Sequence, residues 1–188
     1  MPKQKITKEM VVDVAFELAR EYGMEQVMVK NIAEKLGCSV QPIYSYCKSM
    51  DGLKKDVMVR VRQFIQKYVA EHIDVTDMFR SIGRIYVQLA KEEPNVYKMF
   101  ILQERENISS LDDLYRSETK PNTANFIAEK MNISVEKAKA LHLNMLIYTI
   151  GIGTIFASTT PGISAEEIFA QQEVAYKAFL KQALDDKE

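Results

Sequence analysis

An all-α fold is what this chain predicts, and three observations carry that reading. Leu, Ala, Glu, Lys, Met and Gln abound, residues that cost little to place in a helix. Seven glycines and five prolines in 188 residues are too few to punctuate a series of short strands. Apolar residues recur at steps of three and four rather than two, the period of a helix face. With 47% hydrophobic residues the chain can bury a substantial core, in one large domain or two small ones.

The first helix opens with Thr7 as its N-cap and Glu9 in the first turn, carries Val11, Val14, Ala15, Leu18 and Tyr22 on one face, and stops at Gly23. A short second helix runs from Val29 to Leu36, with Ile32, Ala33 and Leu36 inward, and ends at Gly37. A third follows Ser39 and reaches Tyr46. Two helices joined by a glycine-containing turn within about twenty residues have the spacing of a helix-turn-helix. After CKSMDG a longer helix places Leu53, Val57, Val61, Phe64 and Tyr68 on one face. Further helices are expected over 77–92, 94–103 and 123–131, with polar breaks at EEPN, SSLDD and KPN. Two long ones close the chain, from Ser134 to about Thr159 and from Ser164 past Phe179, the latter opened by Ser164 and Glu167 at capping-box spacing.

Bulk features narrow the function. Cys38 and Cys47 are the only cysteines, nine positions apart, which fits neither a disulfide framework nor a zinc-ligand set and points to a reducing cytoplasm. The basic start MPKQKITKEM has no apolar run after it and does not read as a secretory signal. No charged residue lies between Lys139 and Glu166, but Thr149 and Thr154 interrupt the apolar run, so no membrane span is expected. Residues 1–68 hold 12 Lys and Arg against 8 Asp and Glu, whereas the rest hold 13 against 18. A basic leading segment on an acidic body favours a polyanion partner at that end, or else reflects scattered surface charge.

The segment SVQPIYSY is polar and compact where a core helix would show a stripe. In a helix-turn-helix the second helix lies in the DNA major groove, which demands such a face. Ser39 can cap the helix, and Pro42 is tolerated in the first turn, where its missing N–H has no acceptor to lose. The Gln41 amide matches adenine N6 and N7, Val40 and Pro42 can touch thymine methyls, and Ser45 can bond a base or a phosphate. Tyr44, Tyr46 and Lys48 stand where donors meet phosphates, and Lys30 at the start of the bracing helix adds a backbone clamp. Spacing alone leaves open a short surface helix with two half-buried tyrosines.

The segment VKNIAEKLGCSVQPIYSYCKSMDGL resembles the N-terminal domain of the tetracycline-repressor (TetR) family. That domain has an Ile-Ala pair, a Leu-Gly or Ala-Gly turn, a capping Ser, and a Tyr-x-Tyr/His-Phe-Lys end followed by Leu. Ile32, Ala33, Gly37, Ser39, Tyr44, Tyr46, Lys48 and Leu53 match. Residues 7–55 carry the resemblance, and the remainder agrees only in length and helical character. Val29 replaces a Thr that caps the bracing helix and binds phosphate, Cys47 a Phe, and Met50 a common Lys. The two cysteines fall at positions that are apolar in the family and read as small core residues.

The resemblance implies a DNA-binding domain over 1–48, a ligand-binding and dimerisation domain over 49–188, and a homodimer that binds an inverted-repeat operator on double-stranded DNA. It further implies a four-helix bundle made by the last two helices and their copies, and an unidentified small-molecule effector that releases the DNA. The residues agree with a bundle: Leu141 to Ala157 is apolar around most of its circumference, Gly153 and Ala157 allow close approach, and Ile168, Gln172, Ala175, Phe179 and Ala183 form a stripe. The alternative is a monomer core. Tyr86, Phe100, Asn144 and Tyr148 mix hydrogen-bonding and apolar groups and are the candidate effector lining, unless they are plain core.

No catalytic constellation assembles. His72 and His142 lack the Glu-x-x-His pattern of di-iron bundles, and the GIG at 151–153 lacks the third glycine of a dinucleotide fingerprint. The expectation is a cytoplasmic DNA-binding regulator that is not an enzyme and needs no cofactor. An all-α interaction or ligand-sensing module with weak or lost DNA binding is the alternative.

Overall fold

The computed structural model describes residues 6–47, 49–159 and 162–185. Among these, every regular element is helical: α1 (Lys8–Tyr22), a 3-10 turn (Met24–Gln26), α2 (Val29–Leu36), α3 (Gln41–Tyr46), α4 (Met50–His72), α5 (Met78–Glu92), α6 (Pro94–Ile101), α7 (Leu111–Glu118), α8 (Thr123–Met131), α9 (Val135–Thr159) and α10 (Ala165–Asp185). The chain is all-α, as its composition predicts. It divides into two compact units, one formed by residues 1–72 with 92–102, the other by 73–91 with 103–188.

The first unit is built around α1 and α4. Thr7 caps α1 by accepting a hydrogen bond from the Met10 N–H at 3.2 Å, and Gly23 ends it at φ +99°, a conformation open to glycine. Val11, Ala15, Ile32, Ile43, Leu53, Val57, Val61 and Val96 are fully buried. Tyr22, expected on the inner face of α1, is exposed, and Val12, Phe16 and Ala19 are buried instead. The expected boundary after residue 48 falls inside this unit, because α4 supplies part of the core on which α1 rests. The chain returns to the unit at α6. Arg20 Nε donates to Glu93 Oε2 at 2.9 Å while its guanidinium lies over the Phe64 ring, and Asn95 Nδ2 donates to the carbonyls of Arg20 and Glu21, which α1 leaves unpaired at its C-terminus.

The second unit packs α9 against α8 and α10, with Ile127, Ala128 and Ala138 at one core and Phe79, Met131 and Ile133 around it. Ser164 and Glu167 form the expected capping box: the Glu167 N–H donates to Ser164 Oγ at 3.2 Å, and the Ser164 N–H to Glu167 Oε2 at 3.0 Å. Gln172 is buried on α10, where its Nε2 donates to the Gly83 carbonyl at 3.2 Å and lies 3.4 Å from Thr149 Oγ1. A Cβ at Gly83 would meet that same hydroxyl at 3.4 Å, an ordinary van der Waals contact, so the position does not demand glycine.

Three expectations need correction here. The SSLDD stretch is not only a break: it opens α7, with Ser110 Oγ accepting from the Asp113 N–H at 3.1 Å. Serine hydroxyls at 109 and 110 and the Arg116 guanidinium hold the Asp113 carboxyl well below the usual carboxylate range. The α10 stripe proposed for a bundle faces its own unit, since Ile168, Gln172 and Ala183 are buried, as are Gly153 and Ala157 on α9. Finally, Thr149 and Thr154 do not take α9 below the length and apolarity of a membrane span. Thr154 Oγ1 donates back to the Ile150 carbonyl at 2.8 Å, and the helix is long and apolar enough to cross a membrane by length and composition. Its buried Thr149 is bonded to Gln172, as in a helix of a protein core.

Candidate nucleic-acid interface

The helix-turn-helix is set by its turn. Gly37 takes the left-handed conformation at φ +63°, its N–H donates to the Glu34 carbonyl at 3.1 Å, and the Cys38 N–H reaches the Ala33 carbonyl at 3.0 Å. This paired closure is the Schellman ending, and it turns the chain sharply into α3. At the other end α2 begins after Met28 with no side-chain cap, in keeping with Val29 standing where the resembled family has Thr. Asn31 substitutes a different tie, donating to the Gln26 carbonyl at 2.9 Å and so holding α2 to the 3-10 turn.

α3 has six residues, of which Ile43 alone is buried. Burying Ile43 fixes what faces outward. Val40, Gln41, Tyr44 and Ser45, at helical offsets of one, four and five, share the exposed side, and Tyr44 is 63% accessible. Pro42 is half-buried in the first turn and Tyr46 is exposed at the edge of the face. Ser45 Oγ donates to the Gln41 carbonyl at 3.1 Å, a bond it can exchange for an outside acceptor. Ser39 does not cap the helix: Val40 occupies that position, already in a right-handed helical conformation, without a side-chain hydrogen bond. The exposed Ser39 hydroxyl lies just before the face. Lys48 falls outside the described residues.

An open groove of about 400 Å³ runs beside this face, lined by Glu25, Val27, Met28, Val29, Lys30, Tyr44, Met50 and Lys54. It brings together Lys30 and Tyr44, expected as backbone clamps from separate helices, and adds Lys54, which the sequence reading missed. The signal was present: Lys54 sits one turn beyond Met50, the position where the family pattern has its lysine. Cys47 is buried, and burial pushes its thiol up, as suits a small core residue; Cys38 is half-buried.

The effector candidates do not fall in one unit. Tyr86, Asn144 and Tyr148 belong to the second and are half-buried, whereas Phe100 belongs to the first. Burial raises the Tyr86 phenol, with the Glu118 carboxylate adding to it. Among the described residues no group of three or more His, Cys, Asp or Glu is placed to hold a metal ion.

No family model matches the chain. It is similar to an uncharacterized HTH-type transcriptional regulator, YobS, of Bacillus subtilis (strain 168), at 22% identity over 105 residues. The match covers 54% of this chain and 55% of that protein, so the chain spans about half the length of the curated relative it matches.

Proposed function

We propose that the chain is a sequence-specific DNA-binding transcriptional regulator, built on the TetR plan that its first helices resemble. The observation that carries this reading is α3. A six-residue helix held by one buried side chain, with Gln41, Tyr44, Ser45 and Val40 together on its open face, is a poor core element and a good major-groove reader. The similarity to an HTH-type regulator supports DNA binding in general.

The finer reading is a repressor that binds an inverted repeat as a homodimer and is released by a small molecule. On the described chain, Ile147, Gly151 and Ile155 of α9 and Ala170, Val174 and Ala178 of α10 are exposed, each set at steps of four. These two uncharged stripes, rather than the buried ones expected from sequence, are the faces a second copy would cover. Tyr86, Asn144 and Tyr148 remain the proposed effector contacts in the second unit. Catalysis plays no part in this reading, and a cytoplasmic location follows from a DNA target. A gel shift with DNA selected from a random pool tests it: the selected duplex should bind at physiological salt far more tightly than an unrelated one. Equal binding to both, or none at low salt, would favour the interaction-module alternative.

A further inference from the structure

The groove beside α3 has a feature that base reading does not use. Its lining is mixed: Val27, Met28, Val29 and Met50 are apolar, whereas Lys30 and Lys54 are cations and Glu25 is an anion. Lys35 and Lys67 are engaged by Glu21 and Glu71, whereas no ion pair among the described residues engages Lys30 or Lys54. Tyr44 lines both this groove and the open face of α3, so the two surfaces are continuous. An occupant must therefore present negative charge at intervals, an apolar body between charges, and a path that leads onto α3.

Resting on the regulator reading, we propose that this groove seats one strand's sugar–phosphate backbone, with Lys54 of α4 as a phosphate clamp opposite Lys30 and Glu25 as a fixed charge that weakens the grip. Deoxyribose supplies the apolar body over Met28, Val29 and Met50, and the phosphates meet the lysines and the Tyr44 hydroxyl. Lys54 supplies a cation on the wall where Met50 of the same helix supplies none. Glu25 opposes it, lowering sequence-independent affinity so that more of the total binding depends on the bases that α3 reads.

The test is the salt dependence of binding by the full chain to a duplex of unrelated sequence, where phosphate contacts act alone. Lys54→Gln should lower the slope of log K against log salt by about 0.9 for each groove engaged. That corresponds to a loss of roughly eightfold per groove at 0.1 M salt, fading toward 1 M. Lys54→Arg should restore the wild-type slope, because the contact needs charge rather than shape. Glu25→Gln should act in the opposite direction, tightening binding most at low salt. An unchanged slope for Lys54→Gln would overturn the inference, whether affinity is unchanged or falls equally at every salt concentration, while the regulator reading stands. If the wild-type chain binds no duplex at low salt, both fall.

Discussion

Replacing Ile43 by Ala probes the anchor on which the reading helix depends. Ile43 is fully buried and is the one buried residue of α3. The substitution removes three carbons, worth about 2.4 kcal/mol of transfer at ~0.8 kcal/mol each, and leaves a cavity that adds to the loss. The better helix propensity of Ala returns a few tenths, about 0.4 kcal/mol at most. A net cost of ~2–4 kcal/mol to the packing of α3 follows, against less than ~0.5 kcal/mol for Tyr44→Ala, one residue away but 63% exposed. Cys47, buried directly after α3, reports this opening through the rate at which a thiol reagent modifies it. With Cys38→Ser as background that rate should rise at least about 30-fold in Ile43→Ala, the factor equivalent to ~2 kcal/mol, and only two- to threefold in Tyr44→Ala. Similar rates in the two variants would mean that Ile43 does not hold the reading helix, and the argument from its burial would fail.

Val174→Asp places a charge in the exposed uncharged stripe of α10 and should convert the proposed dimer to monomer, read by sedimentation, without unfolding it; an intact dimer moves the interface elsewhere. His142 lies between Tyr115, whose hydroxyl is 3.0 Å from Nδ1, and the edge of Phe79, and burial lowers its pKa. The unfolded chain therefore takes up the proton first. The stability this group contributes is complete above the ordinary histidine value, declines as pH falls below it, and is lost once pH passes the lower folded value. His142→Gln should flatten that part of the stability profile between neutral and mildly acid pH, and parallel profiles for wild type and variant would contradict it. A double-mutant cycle on Arg20 and Glu93 should give a coupling of ~1 kcal/mol, kept low because the guanidinium is 36% exposed to solvent; a value near zero would leave α6 held by Asn95 and apolar contacts alone.

What the sequence revealed follows the strength of its local signals. Thr7, Gly23, Gly37, Ser164 and Glu167 are backbone-dictated positions, and each lies where its chemistry requires. α7 was hidden because its apolar content is low, although Ser110 and Asp113 carry the same cap spacing that revealed α10. Helical period shows that Ile168, Gln172 and Ala183 share a face but cannot say whether their own unit or a partner covers it. Burial decides for the former. Lys54 belongs to α4 and meets Lys30 only through the folding of α2, the turn and α3, so no local pattern could pair them. The effector candidates show the same limit, since their mixed chemistry and the resemblance grouped Phe100 with residues that lie in the other unit.

The central claim is that α3 reads base pairs, and parallel selection of bound DNA by the wild-type chain and by Gln41→Ala tests it most directly. The wild type should enrich an inverted repeat, as the proposed two-fold dimer requires. The variant should enrich the same repeat with its preference relaxed at one base pair in each half-site, by ~1–3 kcal/mol, the worth of a bidentate amide contact. Identical site preferences for the two proteins, or no enrichment by the wild type, would contradict the account.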